Sequence, residues 1–219
     1  MNRRDLMILA AALGAHGLPA LAESHAATES EDAGEEMAAE APAVEIPDIV
    51  MGDEDAPVTV IEYASFTCPH CRRFHEDVLP TIKAEYVDTG KVRFVYREVY
   101  FDRYGLWASM VARCAGTDRY MAMANEIYAK QSEWTQGEPA EVADNLRRLG
   151  LSAGLTQEEL EACLSDGATA EALVANYEAN AEADDIRATP SFVIDGETVS
   201  NMNLEQMRAR LDAAVEAAG

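Results

Sequence analysis

Cys68 and Cys71 are separated by Pro69 and His70, and that spacing admits two chemistries. The thiols can close a disulfide, or they can share one metal ion. The position of the first cysteine bears on the choice. Pro69 suits the first position of a helix, so Cys68 should stand at a helix N-terminus. Free backbone N–H groups and the helix dipole there stabilise negative charge, and Cys68 should ionise readily. A protonated His70 beside it would favour the thiolate further. Cys71, a turn inward, would be the less exposed thiol and would break a mixed disulfide formed at Cys68.

A metal centre built on this spacing needs a second ligand pair at suitable distance. The remaining cysteines, Cys114 and Cys163, are isolated on apolar helical faces. His75, one turn beyond Cys71, could complete a small copper or zinc site, but by itself it reads as a surface or partly packed helix residue. No metal or organic cofactor is therefore assigned. An even cysteine count in an exported chain favours a structural bridge between Cys114 and Cys163, with two small buried thiols as the alternative. Closing a loop of about 50 residues would add roughly 4 kcal/mol in the chain-entropy description.

The elements that must hold these residues are legible from periodicity. Val58 to Tyr63 is β-branched and continuous enough for a buried strand that delivers Cys68 after a short turn. Phe74, Val78, Ile82 and Tyr86 recur every four residues and predict one amphipathic helix ending near Gly90. Val92 to Val99 alternates as a second strand. The following stretch lacks strand character. Leu106, Trp107, Met110 and Cys114 share one helical face, Tyr120, Met123, Ile127 and Tyr128 another, and further helices are predicted near 138–149, 156–164 and 168–185. Ser191 to Ile194, an Asp195-Gly196 turn and Glu197 to Val199 predict a hairpin, and Leu204, Met207, Leu211 and Val215 a last amphipathic helix. The order describes an α/β core interrupted by an all-helical insertion at about 103–186.

Ahead of that core, Arg3-Arg4, an apolar run from Leu6 to Leu21 and Ala20-Leu21-Ala22 predict an export signal over residues 1–22. The two arginines fit either a general secretory or a twin-arginine signal. Between Glu23 and Asp48 stand nine acidic residues and no Lys or Arg, so residues 23–43 are expected to be a disordered spacer, with the folded part over 44–219. The whole chain carries 40 Asp and Glu against 17 Lys and Arg, a formal charge of -23. Such acidity repels phosphates and argues against a nucleic-acid partner. No apolar heptads mark a dimerisation segment, and a monomer is expected.

The Cys-Pro-His-Cys sequence at 68–71, the strand before it and the late Thr189-Pro190 preceding another strand closely resemble the DsbA-type periplasmic disulfide oxidoreductases, over roughly residues 44–217. The resemblance implies a thioredoxin-like fold with a helical insertion, a strongly acidic Cys68 and an oxidising potential. It implies that Pro190 is cis, with Thr189 offering its backbone to an extended peptide. It also implies that Glu62, six residues before Cys68, is a buried carboxylate exchanging protons with Cys71. Alternation along 60–64 leaves open which strand face is buried. The implied substrates are unfolded or reduced exported proteins in the periplasm, with reoxidation by a DsbB-type membrane partner. An isomerase or reductase of the same fold is the alternative within the class, and a periplasmic copper- or zinc-binding module the alternative outside it.

Overall fold

The computed structural model describes residues 44–219; the expected signal segment and spacer, 1–22 and 23–43, lie outside the described residues. Strand β2 (Val58–Ala64) runs parallel to β3 (Val92–Glu98), and the chain returns between them through helical turns. Around this pair the sheet is antiparallel, with β4 (Ser191–Ile194) against β2 and β5 (Glu197–Ser200) against β4. The Asp195-Gly196 turn takes positive φ at both residues (48° and 83°), the geometry that matches strand twist in a two-residue hairpin. A further strand, β1 (Ile49–Met51), pairs antiparallel with β3 and gives the order β1-β3-β2-β4-β5. Periodicity did not predict β1 because three residues are too few to display a period of two. Gly52 closes it at φ 97°, where a Cβ would meet the Val92 carbonyl oxygen at 2.6 Å.

The helix expected from Pro69 to near Gly90 is broken. Helix α1 (Pro69–Asp77) and the short α2 (Leu79–Ile82) meet at Val78, and a π-helical turn covers Lys83–Val87. Pro80 explains the break: it has no N–H for the Glu76 carbonyl and its ring crowds that oxygen. The apolar residues still share one face. Phe74, Leu79, Ile82 and Tyr86 pack with Val60, Phe94, Phe192 and Ile194 of the sheet and with Met207 and Leu211 of the last helix, α9 (Leu204–Ala218). Asn203 and Gln206 start α9 by bonding each other's backbone N–H, at 2.9 and 3.1 Å.

Between β3 and β4 lie six helices: α3 (Arg103–Cys114), α4 (Thr117–Ala129), α5 (Gln131–Trp134), α6 (Pro139–Ser152), α7 (Gln157–Leu164) and α8 (Gly167–Ala183). They build a second core from Ala108, Val111, Ile127, Trp134, Leu146 and Leu160. This core also takes in Phe66, Cys71 and Tyr96 from the sheet side, so the two halves are packed through the residues flanking the cysteines. Cys114 and Cys163 are joined by a disulfide that ties α3 to α7 across 6.0 Å between Cα atoms. Near β4, Tyr177 of α8 and Ile186 cover Tyr63 and Val193, so both sheet faces are buried. Among the described residues no helix is long and apolar enough to cross a membrane.

Candidate active site

Cys68 caps the N-terminus of α1, with φ -81° and ψ 119°, and Pro69 occupies the first helical turn. The turn that delivers it closes with Cys68 N–H donating to the Ser65 carbonyl at 3.0 Å. Cys68 is half-buried and Cys71 fully buried, and both are free thiols. This difference divides their acidities. The Cys68 thiol is lowered to about 5, chiefly by the hydrogen bond from the Cys71 thiol; burial opposes this, while Thr189 and the N–H groups of Cys71 and His70 add to it. The Cys71 thiol is pushed far up, by burial first, then by its hydrogen bond to Cys68 and the negative charge of Glu62.

The second flank comes from the start of β4. Thr189-Pro190 is a cis peptide, and the Cys68 sulfur donates to the Thr189 carbonyl at 3.4 Å. Ser191 pairs with Tyr63, which fixes this loop one strand away from the cysteine turn. Glu62 is fully buried with Val60 and Ala64 on one face of β2, and Tyr63 is fully buried on the other. The neighbours of Glu62 across the sheet are Tyr96 and Phe192.

Two expectations need correction. His70 is exposed and its ring turns away to Arg73, with Nδ1 2.7 Å from the guanidinium. The backbone N–H of His70 is among the groups that lower the Cys68 thiol. His75 is not a surface or partly packed residue: it is 5% exposed, with Nε2 3.0 Å from Glu62 Oε2. His75 stands one helical turn after the buried Cys71 and shares its side of α1, against Tyr96 and Tyr128. Among the described residues no group of three or more His, Cys, Asp or Glu side chains is arranged to hold a metal ion.

Two further contacts were not anticipated. Gln131 of α5, 6% exposed, donates to the carbonyls of Phe66 and Cys68 at 2.7 and 3.0 Å. Asp102 caps α3 through Tyr104 N–H and Gly105 N–H and accepts from the Thr67 hydroxyl at 2.8 Å. Asp102 was findable as a helix cap, but nothing in the sequence around Gln131 signals its reach to the cysteine turn. Both contacts tether residues 66–68 to the helical block.

A parallel β2–β3 pair, an antiparallel hairpin, a dithiol at a helix N-terminus and a cis proline facing it define a thioredoxin-fold protein with a helical insertion. Residues 45–213 match the family described as Thioredoxin, and the chain belongs to that family. The crystal structure of Wolbachia pipientis alpha-DsbA1 is similar, at 27% identity and TM-score 0.72, over 80% of this chain and 94% of that one. The oxidised BdbD of Bacillus subtilis shares the fold at 22% identity and TM-score 0.65, over 77% of this chain and 93% of that one. A relative from Rickettsia bellii, provisionally named a protein-disulfide oxidoreductase, is 35% identical over 170 residues, which is 77% of this chain. The chain spans 65% of that relative's own length.

Proposed function

We propose that this protein is a thiol–disulfide oxidoreductase that introduces disulfides into exported proteins through Cys68 and Cys71. The asymmetry of the two thiols carries the reading. With the pair oxidised, a substrate thiolate attacks the Cys68 sulfur and the electrons of the broken S–S bond leave on Cys71. A second substrate thiolate then attacks the substrate sulfur of the mixed disulfide, and Cys68 leaves as a thiolate. A thiol lowered to about 5 is a good leaving group and keeps the dithiol stable, which makes the disulfide oxidising. Pro69 starts the helix that lowers it. Thr189 and Pro190 form the edge along which an extended substrate lies, with the Thr189 carbonyl beside the reacting sulfur. Glu62 exchanges the proton of Cys71 beneath them. The Cys114–Cys163 bridge is structural and takes no part in exchange.

The cycle needs no organic cofactor. It does need an electron acceptor, and a quinone-linked DsbB-type membrane partner is the class that regenerates the disulfide. The export signal expected over residues 1–22 supports a periplasmic site of action, and the protein acts as a monomer. The similarity to a DsbA structure and to a relative named a protein-disulfide oxidoreductase supports this reading over a metal-binding module.

The test combines a redox titration against glutathione with oxidation of reduced ribonuclease and refolding of scrambled ribonuclease. An oxidising potential with strong oxidase and weak isomerase activity is expected. A potential near that of reducing thioredoxins would overturn the oxidase reading and favour a reductase or isomerase.

A further inference from the structure

Glu62 and His75 form a pair with side chains 0% and 1% exposed, and the cycle just described uses only half of it. Each keeps one buried atom without a partner, Oε1 on Glu62 and Nδ1 on His75. An unsatisfied buried polar atom is destabilising, so two in one pair beneath a reacting disulfide are unusual. The titratable groups packed around the pair are few. Cys71 faces it from α1, Tyr96 and Glu98 from β3, and Tyr120 and Tyr128 from α4. Burial holds all three tyrosines well above their ordinary range, so they stay protonated. Glu98 is committed to Arg113, through two contacts of 2.7 Å, and to the Tyr120 hydroxyl at 2.9 Å. That leaves Cys71, Glu62 and His75 as the groups between which a proton can pass.

We propose that His75 is the proton store for Cys71, charged as an imidazolium against Glu62 and discharged through the Glu62 carboxyl when Cys71 leaves the disulfide. This inference rests on the disulfide-exchange reading above. In the forward step a substrate thiolate bonds to the Cys68 sulfur, the Cys68–Cys71 bond breaks, and its electron pair goes to Cys71. One proton moves from the pair to that sulfur. The products are the mixed disulfide, a neutral Cys71 thiol and a neutral His75 bonded to carboxylate Glu62. The total charge is unchanged, and no isolated thiolate is left in a pocket that disfavours it. Reoxidation runs the transfer backwards. A lone buried carboxyl could hold one proton, but after giving it up it would stand uncompensated; the histidine keeps an N–H on it.

The measurement is the rate at which a reduced cysteine peptide reduces the oxidised protein, across pH 5 to 8 and corrected for peptide thiolate. His75→Gln keeps a donor for Glu62 but cannot carry a second proton. It is expected to slow the reaction by about tenfold or more on the acid side, converging with wild type toward pH 8. A wild-type profile in His75→Gln would overturn the proposal. If Glu62→Gln is then still impaired, the Glu62 reading survives alone, whereas exchange persisting in Cys68→Ala would remove the disulfide-exchange reading itself. Should His75→Gln fail to fold, the His75 Cε1–H resonance of wild type decides. Its titration midpoint is expected to differ between the disulfide and dithiol forms, and identical midpoints would refute the store.

Discussion

The sheet half and the helical half contribute unlike things to one site. Every reacting or proton-exchanging group proposed above, Cys68, Cys71, Glu62, His75 and Thr189, stands on β2, α1 or the start of β4. The helical block contributes no sulfur to the exchange. It has its own apolar core and its own disulfide, and it touches the cysteine turn through Gln131 and Asp102. The arrangement separates chemistry from support. Sheet pairing sets where the sulfurs, carboxylate and facing carbonyl meet, and the helices cover that meeting point and hold its loop.

If the division is real, removing the second disulfide should cost stability and spare chemistry. Cys114→Ala with Cys163→Ala is expected to lower unfolding free energy by roughly 4 kcal/mol, the loop-entropy value for about 50 residues, measured by urea titration with the active-site pair held reduced. The rate at Cys68 should stay within about twofold of wild type. A large rate loss with native folding would show that the block tunes the reaction.

A smaller effect probes the tether. Gln131→Ala strands two buried carbonyls and should cost about 1–3 kcal/mol. Because one of them belongs to Cys68, the ultraviolet titration of its thiolate should also move in the reduced variant. A stability loss with an unmoved titration would reduce Gln131 to packing.

The mildest test is pH. The reduced wild-type protein should show a thiolate midpoint near 5 at Cys68, against an ordinary thiol value of 9.0. A depressed acid stabilises the folded dithiol form fully above its unfolded value. That contribution shrinks as pH falls from about 9 and is gone once pH has passed below about 5. The reduced form should therefore lose stability toward acid relative to the disulfide form, when both are followed by urea unfolding. Removing the largest cause, by Cys71→Ala, should raise the Cys68 midpoint.

Local pattern carried far into this fold. Four-residue spacing placed Phe74, Ile82 and Tyr86 inward, and Asp195-Gly196 marked the hairpin turn, because both depend on residues near in sequence. Pro80 lies within that apolar period and breaks the single helix the period predicts. The edge strand at 49–51 exists only because β3 offers it a partner. His75 shows the same limit from the side of the site: its contact with Glu62 depends on the distance between a strand and a helix, which spacing along the chain does not carry.

What the sequence determined by itself was the thiol pair at a helix start, since an N-terminal proline and two cysteines act through neighbouring backbone alone. The cis Thr189-Pro190 opposite Cys68, the burial of Glu62, its pairing with His75 and the reach of Gln131 were decided by tertiary structure. Each joins residues of distant segments, and their separation in space is set by sheet register and helix packing, which no local pattern encodes.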